Sequence, residues 1–121
     1  MLKGLFANTR AKGQHYEKFA EQYLQAQGLT AVEQNYYCQY GEIDLIMREQ
    51  NTWVFVEVKY RGSSHFGGAL SALSSKKLQK LQRSIFHYLT SKKLQNVPIR
   101  IDYIAIEGGS SDSIKWIKNI S

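Results

Sequence analysis

Asp44, Glu57 and Lys59 are the residues whose types and spacing suit joint chemistry. They fall in two runs whose side chains alternate with period two, the pattern of half-buried strands. In the first run Ile43, Leu45 and Met47 point one way while Glu42, Asp44 and Ile46 point the other. In the second, Val54, Val56 and Val58 share a face and Phe55, Glu57 and Lys59 share its opposite. The polar segment 49–52 between them suits a short hairpin loop. Antiparallel pairing about that loop, with Arg48 opposite Trp53, sets Asp44 opposite Glu57 and Glu42 opposite Lys59. Directly opposed side chains have Cβ atoms roughly 4.5–5.5 Å apart. Two carboxylates that close repel unless something positive lies between them. A divalent cation meets that need, with Lys59 as a fixed positive charge beside it.

The alternative is a surface hairpin with scattered, solvated charges, in which a β-bulge could also shift the register. Two features weigh against it. The valine face is strongly apolar, and Trp53 and Phe55 make the other face largely apolar too. The second run therefore reads as a central strand, and charges at the end of a central strand carry a desolvation cost that calls for a reason.

Twelve residues separate Asp44 from the tripeptide Glu57-Val58-Lys59, a pattern that resembles the D…(D/E)-x-K signature of the PD-(D/E)XK nuclease superfamily. The fuller wording, Gly-Glu-Ile-Asp-Leu-Ile at 41–46 and Val-Phe-Val-Glu-Val-Lys-Tyr-Arg at 54–61, resembles the YraN family of uncharacterised bacterial proteins, which are similar to Holliday-junction resolvases. The resemblance runs over nearly the whole chain, from Gly13 to Ile120. Ile43 stands where the superfamily's name carries proline. The resemblance implies an α/β, restriction-endonuclease-like sandwich, with a central mixed sheet of about five strands flanked by helices. It further implies that Glu17, on the first helix, reaches the metal site, and that Lys77 is the family's helix lysine. Nucleic acid, DNA ahead of RNA, is the implied substrate, and a homodimer fits because resolvases cut symmetric junctions.

The bulk composition sets wider bounds. A chain of 121 residues suits one domain, 1–121, with a single core and no staples; segment 1–8 is expected to be loose. One cysteine, Cys38, excludes an intramolecular disulfide, and with three scattered histidines it argues against a zinc site. No apolar run approaches the roughly 18 residues of a membrane-spanning helix, and the opening apolar residues are too few for a signal peptide. The expectation is a cytoplasmic protein with no membrane partner. A net charge of +6 and a pI near 9.5 favour a polyanionic partner, modestly.

Along the chain, Tyr16, Phe19, Ala20, Tyr23 and Leu24 recur at helical spacing over 9–27, and Gly28 supplies a stop. Glu17 lies about 90° from the centre of that stripe, a rim position that is ordinarily solvated; Glu21 is the second candidate. A strand over 30–38 leads to Tyr36, Tyr37 and Tyr40, aromatics that stack on bases or cover the sheet. Loop 62–68 carries His65, and a lone loop histidine is seldom catalytic. Ser74 or Ser75 caps a helix ending near 91, with a core stripe of Leu78, Leu81, Ile85, Tyr88 and Leu89. Lys76, Lys80, Arg83 and His87 lie opposite that stripe on a solvated face, while Lys77 sits at its edge, near enough to approach a phosphate. Strands over 99–106 and 114–120, joined by a glycine-serine turn, complete the sheet, with Asp102 read as structural.

The function expected from the residues and the resemblance together is metal-dependent phosphodiester hydrolysis. Asp44, Glu57 and the Val58 carbonyl hold Mg²⁺ or Mn²⁺, Glu17 contributes directly or through water, and Lys59 positions the attacking water. Arg61, Lys76, Lys77, Lys80 and Arg83 are the expected nucleic-acid contacts. The alternative is a nucleic-acid-binding module that keeps the fold without significant activity.

Overall fold

The computed structural model describes residues 9–62, 73–108 and 113–120. The element order is α1 (Thr9–Ala26), β1 (Thr30–Cys38), β2 (Gly41–Glu49), β3 (Thr52–Arg61), α2 (Ser75–Ser91), β4 (Ile99–Glu107) and β5 (Ser113–Ile117). The five strands form one sheet in sequence order. Every pairing is antiparallel except β3 with β4, which is parallel. Parallel neighbours need a crossover connection, and α2 supplies it. The result is the expected α/β sandwich, a mixed five-stranded sheet with a helix on each face. Segment 1–8, for which looseness is expected, His65 and most of loop 62–68, and part of the 108–113 turn fall outside the described residues.

Two cores sandwich the sheet. Tyr16, Ala20 and Leu24 of α1 pack on Leu45, Met47, Val54, Val56 and Ile104. On the other face Leu81, Ile85 and Tyr88 of α2 pack on Ile43, Ile46, Phe55 and Ile101. Val54, Phe55 and Val56 are all fully buried, so β3 is the central strand that its two apolar faces imply. Each such side chain contributes about 1.5–3 kcal/mol of burial, which makes β3 a rigid mount for the charges at its end. Gly28, with φ of 103°, ends α1, and the Leu29 N–H reaches back to the Leu24 carbonyl at 3.1 Å. Ser74 is the cap of α2, its hydroxyl accepting from the Lys77 N–H at 3.2 Å.

The hairpin is tighter than its polar loop suggests. Glu49 pairs with Thr52 and Arg48 with Trp53, so only Gln50 and Asn51 turn the chain. Gln50 has φ of 54°, the left-handed backbone that matches strand twist in two-residue hairpins. The expected register holds as far as Leu45 opposite Val56 and the ladder stops there; Asp44 and Glu57 are not a ladder pair, nor are Glu42 and Lys59. Simple alternation also fails at this point. Ile43 belongs with Ile46 on the α2 face, whereas Leu45 and Met47 face α1. The step coincides with Asn35 of β1, which lies between the pairs Gln34/Leu45 and Tyr36/Ile43 and has φ of 52°. Asparagine enters that left-handed region more readily than most residues. β5 ends at Ile117 rather than 120 because Asn119, at φ of 56°, turns its N–H onto Asp102.

Candidate active site

Where the β2–β3 ladder stops, carboxylates from both faces of the sheet gather. Asp44, 8 % exposed, accepts the Val58 backbone N–H on Oδ2 at 2.9 Å. That bond ties it to β3 at the residue between Glu57 and Lys59. Glu17 is 9 % exposed: the rim of the α1 stripe becomes enclosed because the sheet's end lies under it. Glu17, Glu42 and Asp44 each offer an oxygen within 4.8 Å of the others. One neutral amide serves two of them, Asn35 Nδ2 donating to Glu17 Oε1 and to Glu42 Oε2, both at 2.7 Å.

Glu57 enters from the α2 face, near enough to Asp44 for its charge to act on that carboxyl and for the two side chains to hydrogen-bond. A cavity of about 160 Å³ opens beside it, lined by Glu42, Glu57, Lys77, Lys80, Ser84 and Tyr40 among others. Lys59 lies near Glu57, Lys77 and Arg61.

The electrostatics follow from burial and crowding. Burial first, then the charge of Asp44, pushes the Glu17 carboxyl up to about 8. Burial and then Glu57 hold Asp44 well above the usual carboxylate range, against the pull of the Val58 N–H. Burial also raises Glu57, opposed by Lys77, by Asp44 and by Lys59. Lys59 is lowered by burial and then by Lys77 and Arg61. Tyr103, the β4 partner of Glu57, is pushed up to about 12 by burial and by the Glu57 charge.

Such a cluster is costly without a cation. It fits a hard divalent ion, because every donor is a carboxylate oxygen. Mg²⁺ holding oxygens at about 2.0–2.1 Å spans about 4.2 Å between opposite ligands, the scale of this group.

Several expectations change in detail. Glu42, expected opposite Lys59, instead joins the acidic group, a role that its period-two relation to Asp44 signals. Asn35 carries no sequence signal. Val58 meets Asp44 through its amide. Lys80 is exposed, as expected, yet it also lines the cavity, because the buried stripe of α2 runs through Ser84 as well as Leu81, Ile85 and Tyr88. A serine is invisible to an apolar pattern, and including it turns the stripe toward Lys80. His87 is half-buried, with Nδ1 at 2.6 Å from the Tyr36 hydroxyl, because β1 curls up against the helix. Lys76 and Arg83 are exposed, and Glu21 is outside the cluster. Asp102 is structural: fully buried, it accepts from Arg100 Nε at 3.0 Å, Trp116 Nε1 at 2.9 Å and the Asn119 N–H at 2.9 Å.

The fold and this site define a mixed-sheet α/β protein with a carboxylate cluster at the end of its central hairpin. Residues 16–106 match the model of the uncharacterised protein family UPF0102, and the chain belongs to that family, as the YraN resemblance implied. The UPF0102 protein PSHAa2523 of Pseudoalteromonas translucida is 56% identical over 119 residues, covering 98% of this chain and 97% of its own. A UPF0102 protein of Shewanella frigidimarina is 50% identical over 106 residues, 88% of this chain and 94% of that one. One of Colwellia psychrerythraea is 47% identical over 111 residues, 89% and 86%. Among solved structures, Pyrococcus furiosus SfsA in complex with Ca²⁺ aligns over 92% of this chain and 64% of its own, at 13% identity and a TM-score of 0.37. No helix among the described residues is long and apolar enough to cross a membrane.

Proposed function

We propose that the chain is a metal-dependent endonuclease acting on nucleic acid, DNA ahead of RNA. The observation that carries this reading is the convergence of Glu17, Glu42 and Asp44 within 4.8 Å at a point where Glu57 is also flanked by Lys59 and Lys77. Asp44, Glu42 and Glu17 would hold Mg²⁺ or Mn²⁺, with Glu57 at the α2 side of the same group. Bound there, the ion polarises the phosphate and lowers the pKa of its water.

The protein's own groups do the rest. The Val58 N–H fixes the direction of the Asp44 carboxylate, and Asn35 fixes those of Glu17 and Glu42. Lys59, half-buried, places a positive charge beside the reacting phosphate and orients the attacking water, while Lys77 offsets charge that develops in the transition state. Lys77 and Lys80 hold a phosphate at the cavity mouth, and Arg61, Lys76 and Arg83 extend that electrostatic attraction.

The test is cleavage of a panel of DNAs (junction, flap, duplex and single strand) with Mg²⁺, Mn²⁺ or chelator. The reading requires metal-dependent scission of at least one, with branched forms the leading candidates. A protein that binds these DNAs yet cuts none is the binding module instead.

A further inference from the structure

The α1 face of the sheet carries a second basic surface, which shares Lys59 and Arg61 with the scheme above and adds Lys12, a residue that scheme does not use. A groove of about 390 Å³ lies between α1 and the end of β3, lined by Lys12, Gly13, Tyr16, Lys59, Tyr60 and Arg61 among others. Among its described lining residues three are cations and none is acidic. Its floor is aromatic: the Tyr60 ring stacks on Tyr16 with centroids 3.7 Å apart and planes 10° from parallel. Lys12 Nζ lies 4.9 Å from the Tyr60 centroid, a cation–π contact.

Two consequences follow. Tyr60 is engaged by Tyr16 and Lys12, so it is a mount for the lysine rather than a platform for a base. And Lys12, long and flexible on an ordinary surface, is partly ordered in advance, which reduces the entropy it loses when it meets an anion. Lys59 belongs both to this groove and to the carboxylate site, so the groove opens directly onto the chemistry. On the far side of Lys59 the cationic row continues through Lys77 to Lys80 on α2.

We propose that the groove of Lys12, Lys59 and Arg61 seats the phosphodiester backbone of a nucleic-acid strand, so that the substrate is held on both helix faces of the sheet's end. The inference rests on the nuclease reading for its choice of polyanion, but concerns where the strand runs. Cations above an aromatic floor whose ring is already engaged recognise phosphates and not base edges, so the contact is sequence-independent.

Gly13 allows a test that leaves every existing groove side chain in place. It lines the groove, and a Cβ added there meets nothing within 4 Å. Binding of a short duplex and of a single strand is measured by fluorescence anisotropy in chelator across a salt series. Gly13→Ala should match the wild type, Gly13→Glu should weaken binding about threefold at low salt, and Gly13→Lys should tighten it by a similar factor. Lys12→Ala should flatten the slope of log K against log salt by about 0.9 for the duplex or about 0.7 for the single strand. Tyr60→Phe should keep the wild-type slope. Lys77→Ala, on the α2 face, serves as the standard for one phosphate contact. If Lys77→Ala flattens the slope while the variants at 12 and 13 match the wild type, the groove is not a strand seat and the nuclease reading stands. If the wild type binds neither nucleic acid, both fall.

Discussion

The Val58 amide donates to Asp44 Oδ2 at 2.9 Å, from the strand position between Glu57 and Lys59. This one bond turns a carboxylate of β2 toward β3 just where their ladder has stopped, and it brings the acidic and basic groups of the hairpin into one site. It also explains why the site is electrostatically tense. Asp44 is held in place by a single backbone donor while burial and Glu57 both oppose its charge.

That tension has a pH signature. Glu17, raised to about 8, and Asp44, also raised, keep protons in the folded state that the unfolded chain releases. Where the folded state binds more protons, stability falls as pH rises. The metal-free protein should therefore melt at progressively lower temperature between the ordinary carboxylate range and about pH 8. Mg²⁺ or Mn²⁺ should restore the loss at the alkaline end and do little at the acid end. Thermal unfolding with chelator and with ion, across that range, gives both curves; a flat chelator curve contradicts the crowding.

Glu42→Gln should lower divalent-ion affinity by roughly 10–100-fold while the fold survives, because it removes one of three converging charges with little change of shape. Calorimetric titration of the variant measures it. Unchanged affinity would return the ligand set to Asp44, Glu57 and Glu17.

Lys59→Ala should separate binding from chemistry. The carboxylates remain, so ions still bind, but hydrolysis drops by about 10²–10³-fold with the charge beside the phosphate gone. Single-turnover cleavage with saturating metal reads the effect. A drop that more metal or more DNA restores would make Lys59 a binding residue only.

Asp102→Ala should behave as a structural lesion. It strips the buried partners from Arg100, Trp116 Nε1 and the Asn119 N–H, at a cost of about 3–5 kcal/mol. Denaturant unfolding measures the loss. Cleavage per folded molecule should be unchanged.

Much of the fold was legible because its signals are local. Period-two valines and a two-sided apolar β3 marked the central strand, Gly28 and Ser74 marked helix ends, and the register followed from Arg48 opposite Trp53. The site was less legible, for two physical reasons. Alternation breaks between Ile43 and Leu45, beside Asn35 of another strand with its left-handed backbone, so Ile43 faces α2 while Glu42 joins the acidic group; no pattern within β2 contains that information. Ser84 is buried by packing and not by hydrophobicity, so an apolar wheel of α2 does not show that the exposed Lys80 also borders the cavity beside Glu57. Asp44, Glu57 and Lys59 could be singled out because their spacing alone placed like charges near one another.

The most direct test of the central claim is a calorimetric titration of Mn²⁺ into the wild type and Asp44→Asn, with circular dichroism confirming that both are folded. The site should give a saturable, stoichiometric heat in the wild type. Asp44→Asn should give none, remain folded and be at least as stable as the metal-free wild type, since one of the mutually repelling carboxylates is gone. An Asp44→Asn protein that unfolds, beside a wild type that binds no ion, would contradict the account and make Asp44 a structural residue.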